Sequence, residues 1–280
     1  MWTQIVGKIR LKTMPWQNHS WHTTLYVSPR GFTTGSIPYE NGIFEIEFDF
    51  EFHRLAVRST FEEDLEMKLR PMSTAEFYSD LFKLLNQAKI HVDIYAKPNE
   101  VDPSIPFEEN TEKGEYDEQR VKDFWQAMVS INNVFLKFRS SFIGKCSPVH
   151  LFWGAFDLAV TRFSGRPAPP HPGRVPNMPL DVMQEAYSHE VSSAGFWPGG
   201  DDSPMPAFYA YCYPTPDAFG KQKISPEEAF WSEEMGEYFL KYDDVRMADD
   251  PEKMLLNFLE TTYVAAAETG NWDRKNLERE

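Results

Sequence analysis

The chain has 280 residues, with 28 basic and 43 acidic side chains and a formal net charge of −15. A field of this sign repels polyanionic nucleic acid, so we expect no nucleic-acid partner. Hydrophobic residues make up 41% and aromatic residues 15%. This is enough apolar material for the core of one large domain or of two ordinary ones.

The sequence predicts neither a membrane anchor nor a disulfide framework. No apolar run approaches the roughly 18 residues that cross a bilayer, and residues 1–11 lack the continuous apolar stretch of a signal peptide. Cys146 and Cys212 lie far apart among apolar or aromatic neighbours, which is typical of buried thiols. We therefore expect a soluble, cytoplasmic protein whose oligomeric state the sequence does not give.

The N-terminal part predicts an antiparallel meander followed by a helix. Over residues 44–51 an apolar residue alternates with an acidic one, as in a half-buried strand. Residues 55–57 and 65–69 predict shorter neighbouring strands. Ser73-Thr-Ala-Glu76 is a capping box that opens an amphipathic helix, and residues 91–95 are predicted to return as a strand.

The remainder of the chain predicts a long helix followed by a second meander and a final helix. A Pro-rich acidic segment precedes residues 117–143, whose apolar stripe predicts the long helix. The later predicted elements are a strand or a bent hairpin over 147–164 with a bulge or kink at Gly154, a short helix over 180–187, strands over 208–213 and 238–242, and a helix that begins at Asp250-Pro251 and stops near Gly270.

The two ends of the chain follow the same order. Gly31-Phe32 precedes the strand at Phe44 by twelve residues, and Gly195-Phe196 precedes the strand at Phe208 by the same interval. This indicates either an ancient duplication or a coincidence, because a meander followed by a helix is common. The predicted fold class is α+β, with an antiparallel sheet from two meander-plus-helix units joined by a long central helix.

The predicted organisation has an N-terminal unit, a connector, a second unit with the candidate site and a charged tail. One compact domain is the alternative. The predicted boundaries are 1–98 for the N-terminal unit, 99–116 for the acidic Pro-rich connector, 117–272 for the central helix with the second unit, and 273–280 for the tail.

Residues 144–200 hold an unusual concentration of titratable groups among Trp, Phe, Pro and Gly. Such a mixture is typical of a pocket in which apolar walls meet a few polar groups. The segment contains His150, His171, His189, Arg162, Arg166, Arg174, Asp157, Glu185 and Glu190.

Long motifs spread from about Trp2 to Trp272 share one resemblance. They are Trp2–Arg10, Asn18-His19, Leu25–Val27, Arg30–Thr34, Phe44–Ile46, Phe142–Lys145, Ser147–His150, Phe156–Arg166, Pro169–Gly173 and Glu185–Gly199. Together these motifs resemble the uncharacterised family called DUF5996. The resemblance implies no reaction, cofactor or catalytic residue, so the site hypotheses below depend on chemistry alone.

His150 and Asp157 are candidate catalytic residues on the predicted hairpin. Seven residues apart, they would face opposite sides of a regular strand. A bulge at Gly154 would correct this parity and bring both into one cavity. The alternative for His150 is a hydrogen-bonded histidine of the core.

His189 is a second candidate base near neutral pH. Glu190 or Glu185 could orient it. Glu185 and His189 share one helical face if the short helix extends that far. A plain surface pair on the helix is the alternative.

The candidate substrate-binding residues are arginines and rigid rings. Arg162 and Arg166 could hold an anionic group bidentately, or they could pair with the many internal acids. His171 lies between prolines that restrict its backbone, which suits a pre-organised ligand residue or a rigid surface loop. Trp153 and Trp197 complete the proposed pocket lining.

His150, His171 and His189 could together hold a divalent metal such as zinc or iron. Their spacings of 21 and 18 residues match no local metal signature. The main functional hypothesis is a small-molecule enzyme that acts on an anionic substrate by acid–base or metal-assisted chemistry. Its alternatives are a non-catalytic binding or interaction protein with an aromatic pocket, and a purely structural role for the motif.

Overall fold

The structure, a computed structural model, describes residues 1–173, 178–200 and 205–279. The chain forms two compact units, and the assignment changes within one long helix between Val129 and Ser130. Unit 1 comprises Met1–Val129, Leu151–Gly154 and Gly173–Pro179, and unit 2 comprises Ser130–His150, Ala155–Pro172 and Leu180–Glu280.

Unit 1 combines an antiparallel sheet with helices and with the first part of the long helix. Its sheet has the order β1-β2-β4-β5-β6, and β3 also pairs with β4. The elements are α1 Trp2–Thr13, β1 Tyr26–Val27, β2 Gly31–Thr33, β3 Ile37–Tyr39, β4 Gly42–Asp49, β5 Arg54–Ser59, β6 Leu65–Lys68 and α2 Thr74–Gln87.

The alternation predicted over residues 44–51 is confirmed in β4, but its acidic side is also partly buried. Glu47 accepts a hydrogen bond from Ser28 at 2.7 Å and pairs with Arg58 at 2.8 Å. Asp49, which is fully buried, pairs with Arg54 at 3.1 Å. Pairing with arginine allows these carboxylates to leave water.

Helix α2 begins at the predicted capping box. The Glu76 amide donates to the Ser73 hydroxyl at 3.1 Å, and the Ser73 amide donates to the Glu76 carboxylate at 2.8 Å. The strand predicted over 91–95 is wrong, because this segment is irregular. There the Tyr39 hydroxyl accepts from the His91 amide at 2.9 Å, in place of a neighbouring strand.

Helix α1 was not predicted from the sequence. Its buried residues include Gln4, Lys8 and Arg10 as well as apolar ones, so no clean apolar stripe marks it. Helix α3, Glu118–Ser140, begins after Asp117, whose carboxylate accepts from the Arg120 amide at 3.0 Å.

Unit 2 contains a second antiparallel sheet, which confirms the α+β fold class. Its order is β11-β12-β10-β9-β8-β7. The predicted hairpin and the predicted later strands and helices are present, while the duplication stays a prediction. The elements are β7 His150–Phe152, of which only His150 is assigned to unit 2, β8 Asp157–Pro167, α4 Leu180–Ala186, β9 His189–Trp197, β10 Ala207–Tyr213, β11 Phe230–Ser232, β12 Glu237–Lys241, α5 Tyr242–Arg246, α6 Pro251–Thr269 and α7 Arg274–Leu277.

The two faces of this sheet differ in character. On one face, α6 packs against β9 and β10, and Leu158, Phe208 and Leu240 are fully buried. Side chains alternate along a strand, so the residues between these buried ones point to the opposite face of the sheet. We call that opposite face the polar face. It carries Asp157 and Thr161 of β8, Ser193 and Gly195 of β9, Tyr209, Tyr211 and Tyr213 of β10, and Glu237 of β12.

Among the described residues, no helix combines the length and the hydrophobicity that crossing a bilayer requires.

The capping box of α2 gives a direct test of the fold of unit 1. We expect Ser73→Ala to lower the free energy of unfolding by about 1 kcal/mol, because the Glu76 amide loses its acceptor. Ser79→Ala, in the exposed middle of the same helix, is the matched control and should have almost no effect. Urea denaturation measures both, and equal effects of the two changes would contradict this assignment of the cap.

Candidate functional site

A hydrogen bond across three strands forms the centre of the polar face. The Tyr209 hydroxyl of β10 donates to the Asp157 carboxylate of β8, and Gly195 of β9 lies between them, opposite Tyr209 in register. A Cβ atom at Gly195 would lie 2.3 Å from the Cζ and Oη atoms of Tyr209. Glycine therefore leaves the space through which the ring reaches Asp157.

A row of four hydroxyl groups lies beside the hydrogen bond between Tyr209 and Asp157. The hydroxyls of Tyr187 and Tyr211 are 2.8 Å apart, and those of Thr161 and Ser193 are 2.9 Å apart. Ser193 also hydrogen-bonds to Tyr211, so the four groups form one chain. The rings of Tyr209 and Tyr211 stack with centroids 6.1 Å apart, which places the row beside that hydrogen bond.

Glu237 adds a second carboxyl group to the polar face. Its neighbour Tyr238 pairs with Ala210, so the alternation places Glu237 beside Tyr211. Its negative charge raises the pKa of both Tyr209 and Tyr211. Within the described residues, neither Glu237 nor Asp157 forms an ion pair with a basic side chain.

The two carboxyl groups titrate near neutral pH. Burial raises the pKa of Asp157 to about 6, although the hydrogen bond from Tyr209 opposes the shift. Burial also raises the pKa of Glu237 to about 7, and the charge of Asp157 adds to this effect. Asp157 ionises first, so Glu237 must lose its proton against an existing negative charge.

These groups are poorly hydrated without being closed off from solvent. Asp157, Tyr209, Tyr211 and Glu237 each keep an intermediate exposure, yet burial is the largest cause of the raised pKa of each. Side chains that are crowded by protein and still reach solvent can contact a small molecule. Polar groups with raised pKa values that lie together in this way are typical of functional sites.

His171 lies at one end of the hydroxyl row, as a candidate ligand residue should. Its ring stacks on Tyr187 with centroids 4.5 Å apart and lies 5.1 Å from the ring of Tyr213. The Tyr213 hydroxyl donates to the Pro169 carbonyl at 3.0 Å, which ties the Pro-rich loop to β10. Burial lowers the pKa of His171, so its neutral form is favoured.

Trp197 lies on the polar face next to Asp157. The adjacent residues Phe196 and Leu158 are register partners, so the alternation brings Trp197 and Asp157 side by side. Among the predicted site residues, Asp157 and Trp197 belong to this face, and His171 stacks on Tyr187 at its edge. His189 has the same strand parity but lies at the far end of β9.

Arg162 is an even-numbered residue of β8, so its side chain lies on the face of the sheet that packs against α6, opposite the face of Asp157 and Thr161. It is 1% exposed, and its guanidinium carbon lies 3.4 Å from the ring centroid of Phe138 and 4.2 Å from that of Tyr263. It pairs with Glu260 at 3.3 Å. The prediction that Arg162 holds an anionic substrate is therefore corrected, since the guanidinium is enclosed by its own core.

Arg166 and Glu190 pair with each other. Arg166 donates to the Glu190 carboxylate at 2.6 Å and to the carbonyl of Gly270 at 2.6 Å, and Glu190 also accepts from Ser164 at 2.8 Å. This cluster joins β8 and β9 to the end of α6. This pairing is the alternative that the sequence left open for Arg166. Its role as a substrate ligand and the role of Glu190 as a catalytic partner stay predictions, and Arg174 lies outside the described residues.

Glu185 and His189 do not share a helical face. Helix α4 ends at Ala186, and His189 is the first residue of β9, in register with Pro167. The Ser188 hydroxyl lies 3.1 Å from His189 Nδ1. The predicted orientation of His189 by Glu185 along a helix is therefore wrong, because the chain changes to extended backbone between them.

His150 is completely buried on β7, and its pairing with Asp157 stays a prediction. Trp153 belongs to unit 1. Its indole donates to the Thr23 carbonyl at 2.7 Å, and its ring fills the space beside Gly7, where a Cβ atom would lie 2.2 Å away. Trp153 is a packing residue there, which corrects its predicted role in substrate binding.

The described residues contain no group of three or more His, Cys, Asp or Glu side chains arranged to hold a metal ion. His150, His171 and His189 are all described, so they do not form the predicted ligand set. Their positions explain why: one is enclosed on β7, one stacks on tyrosines in a loop, and one begins β9.

A family model described as a family of unknown function, DUF5996, matches residues 1–279. The chain belongs to this family. No curated protein and no solved structure matches it. The polar face of this DUF5996 protein is therefore interpreted from its own geometry.

Most residues of the polar face were not among the predicted site residues of this DUF5996 chain. Tyr209, Tyr211 and Tyr213 alternate with Ala210 and Cys212 in the sequence, and this alternation places all three hydroxyls on one face of a strand. That signal was available. Glu237 is the first residue of β12 and shows no such pattern, and Tyr187 follows the end of α4.

Gly195→Ala tests the contact between Tyr209 and Asp157. The added methyl group should displace the Tyr209 ring and lower the free energy of unfolding by about 1–2 kcal/mol. Tyr209→Phe should then have little further effect in the Gly195→Ala background, because the hydrogen bond is already lost. Denaturant unfolding of the four proteins measures this coupling.

Gly114→Ala is the matched control, because a Cβ atom there would meet the Met72 carbonyl at an ordinary 3.5 Å. Strictly additive effects of Gly195→Ala and Tyr209→Phe would contradict the proposed contact.

Asp157→Asn tests the burial of the carboxyl group through pH. The folded-state pKa of Asp157, about 6, lies above its ordinary value of 3.8, so ionisation destabilises the folded protein. As the pH rises from about 4 to about 7, the wild type should lose up to about 3 kcal/mol of stability relative to Asp157→Asn. The exposed Asp217→Asn is the control, and a stability difference for Asp157→Asn that stays constant with pH would contradict the assignment.

Proposed function

We propose that the polar face is the active site of a small-molecule enzyme that works by general acid–base catalysis. The observation that carries this proposal is the placement of two poorly hydrated carboxyl groups, Asp157 and Glu237, on one sheet face beside the hydroxyls of Tyr209 and Tyr211. Burial raises their pKa values to about 6 and about 7. Near neutral pH, Asp157 is mainly a carboxylate and Glu237 keeps much of its proton. Carboxyl groups whose environments separate their pKa values commonly divide the roles of base and acid.

In this proposal, Asp157 accepts a proton from the substrate and Glu237 donates one. Tyr209 orients the Asp157 carboxylate, as its hydroxyl is already hydrogen-bonded there. The hydroxyl chain of Tyr187, Tyr211 and Ser193 provides donors and acceptors for polar substituents of the substrate. General acids and bases with pKa values near the working pH are the effective ones.

The substrate that we propose is uncharged or cationic. The earlier expectation of an anionic substrate depended on Arg162 and Arg166, and both guanidinium groups are bound by Glu260, Glu190 or main-chain carbonyls. The polar face itself carries two carboxyl groups. An anion would be repelled by them once they ionise.

A non-catalytic binding protein is the second candidate function. The stacked rings of Tyr209 and Tyr211, with Tyr187 and Tyr213 beside them, could hold a ligand without converting it. We also propose that the protein works in the cytoplasm on a small molecule and without nucleic acid. The free thiols of Cys146 and Cys212 are compatible with a reducing compartment.

A ligand screen followed by a turnover assay tests the proposal. The purified full chain is heated with monosaccharides, polyols, amino alcohols and aliphatic amines, and compounds that raise the melting temperature are then incubated and analysed by mass spectrometry. We expect at least one compound to be converted, with a bell-shaped pH dependence between about 6 and about 7. Asp157→Asn and Glu237→Gln should each lower the rate at least about 100-fold.

The exposed residues Asp217 and Glu234 provide the matched controls Asp217→Asn and Glu234→Gln, which should keep the full rate. Stabilisation without conversion of any compound would favour the binding protein. Conversion that survives both site variants would contradict the proposed roles of Asp157 and Glu237.

A further inference from the structure

We infer that the polar face binds an organic cation, a ligand that carries an alkylammonium group between the tyrosine rings and the two carboxyl groups. This inference rests on the proposed function, because it assigns a ligand class to the same site. It assigns a positive charge and an alkyl substituent to a substrate that was so far described only as small and either uncharged or cationic.

The first observation is that two poorly hydrated carboxyl groups lack a basic partner. In the described parts of the chain, the ion pairs of unit 2 engage Glu190, Glu252, Glu260, Glu268, Glu278 and Asp243, but neither Asp157 nor Glu237. Asp157 instead accepts a neutral hydroxyl, from Tyr209. A buried carboxylate is normally paired with a positive charge. A cationic ligand can supply the positive charge that the protein does not provide here.

The second observation is aromatic and independent of the carboxyl groups. The rings of Tyr209 and Tyr211 stack at an interplanar angle of 17°, and Tyr187 lies 6.3 Å from Tyr211 and 5.4 Å from Tyr213, measured between centroids. Four tyrosines thus run along the polar face, from Tyr209 beside Asp157 to Tyr213 beside Tyr187. Aromatic groups of this kind recognise ammonium ions through the negative faces of their rings.

The other charged or titratable groups around the site leave a place for a positive charge. On the loop side, His171 has a pKa lowered by burial, so it stays neutral near pH 7. On β12, Lys241 shares the parity of Glu237 but is exposed at the end of the strand, and no ion pair joins it to either carboxyl. On β9, His189 lies at the opposite end of the strand from Trp197.

Binding of a cation should be coupled to proton release. An ammonium ion stabilises the ionised forms of Asp157 and Glu237, so binding lowers the pKa of both. The affinity should therefore increase from pH 5 to pH 8 and level off once both groups are ionised. An uncharged ligand is not attracted by the ionised carboxylates, so its affinity should stay constant or fall from pH 5 to pH 8.

The test compares each cation with its uncharged isostere. Choline is matched with 3,3-dimethylbutan-1-ol, and butylammonium with butan-1-ol, in titrations of the full-length protein followed by NMR of 13C-labelled tyrosine. At pH 7.5 we expect at least one cation to bind at least about tenfold more tightly than its isostere. We expect its affinity to rise at least about tenfold from pH 5 to pH 8.

Glu237→Gln should remove most of the preference for the cation, and Glu234→Gln should leave it unchanged. Equal affinities within both pairs, or no tyrosine shift at tens of millimolar cation, would overturn the inference. If neutral polyols bind and are converted with a dependence on Asp157, the proposed function stands and the cation assignment alone fails. If a cation binds with this pH dependence but is never converted, the ligand class stands and the catalytic role fails.

Discussion

The poor hydration of the Asp157 carboxyl group, without a basic side chain to compensate, is the constraint on which the polar face depends. The hydroxyl of Tyr209 is the partner that makes this burial tolerable, and it reaches Asp157 only because Gly195 has no side chain. A hydroxyl lowers the pKa of the carboxyl less than a guanidinium would. The group therefore stays ionisable near neutral pH, where an arginine partner would have held it permanently charged.

On the opposite face of the same sheet, arginine–carboxylate pairs hold β8 against the helices. Arg162 is enclosed by Phe138, Phe142 and Tyr263 and is paired with Glu260, which connects β8 to α3 and α6. Arg166 joins β8 to the end of α6 in a similar way. One strand thus provides a rigid attachment through Arg162 and Arg166 and presents Asp157 and Thr161 on the opposite, polar face. Rigid support is what a precisely arranged site requires.

The sequence predicted the elements better than it predicted the site. The capping box at Ser73, the strand of three alternating tyrosines and the helix after Asp250 follow local rules that hold in the structure. The site hypothesis concentrated on histidines and arginines because these side chains commonly act as bases, metal ligands or anion ligands. It did not use strand parity, which separates Arg162 from Asp157. The positions of Glu237 and Tyr187 depend on strand pairing and loop placement, which no local pattern determines.

The most direct measurement is a 13C NMR titration of the Asp157 and Glu237 carboxyl carbons in the full-length protein. The structure predicts midpoints near 6 and 7, and the midpoint of Glu237 should fall in Asp157→Asn, since the neighbouring charge is then absent. Midpoints below about 5 for both groups, with no response of Glu237 to Asp157→Asn, would contradict the existence of a coupled, poorly hydrated acid–base pair on this face.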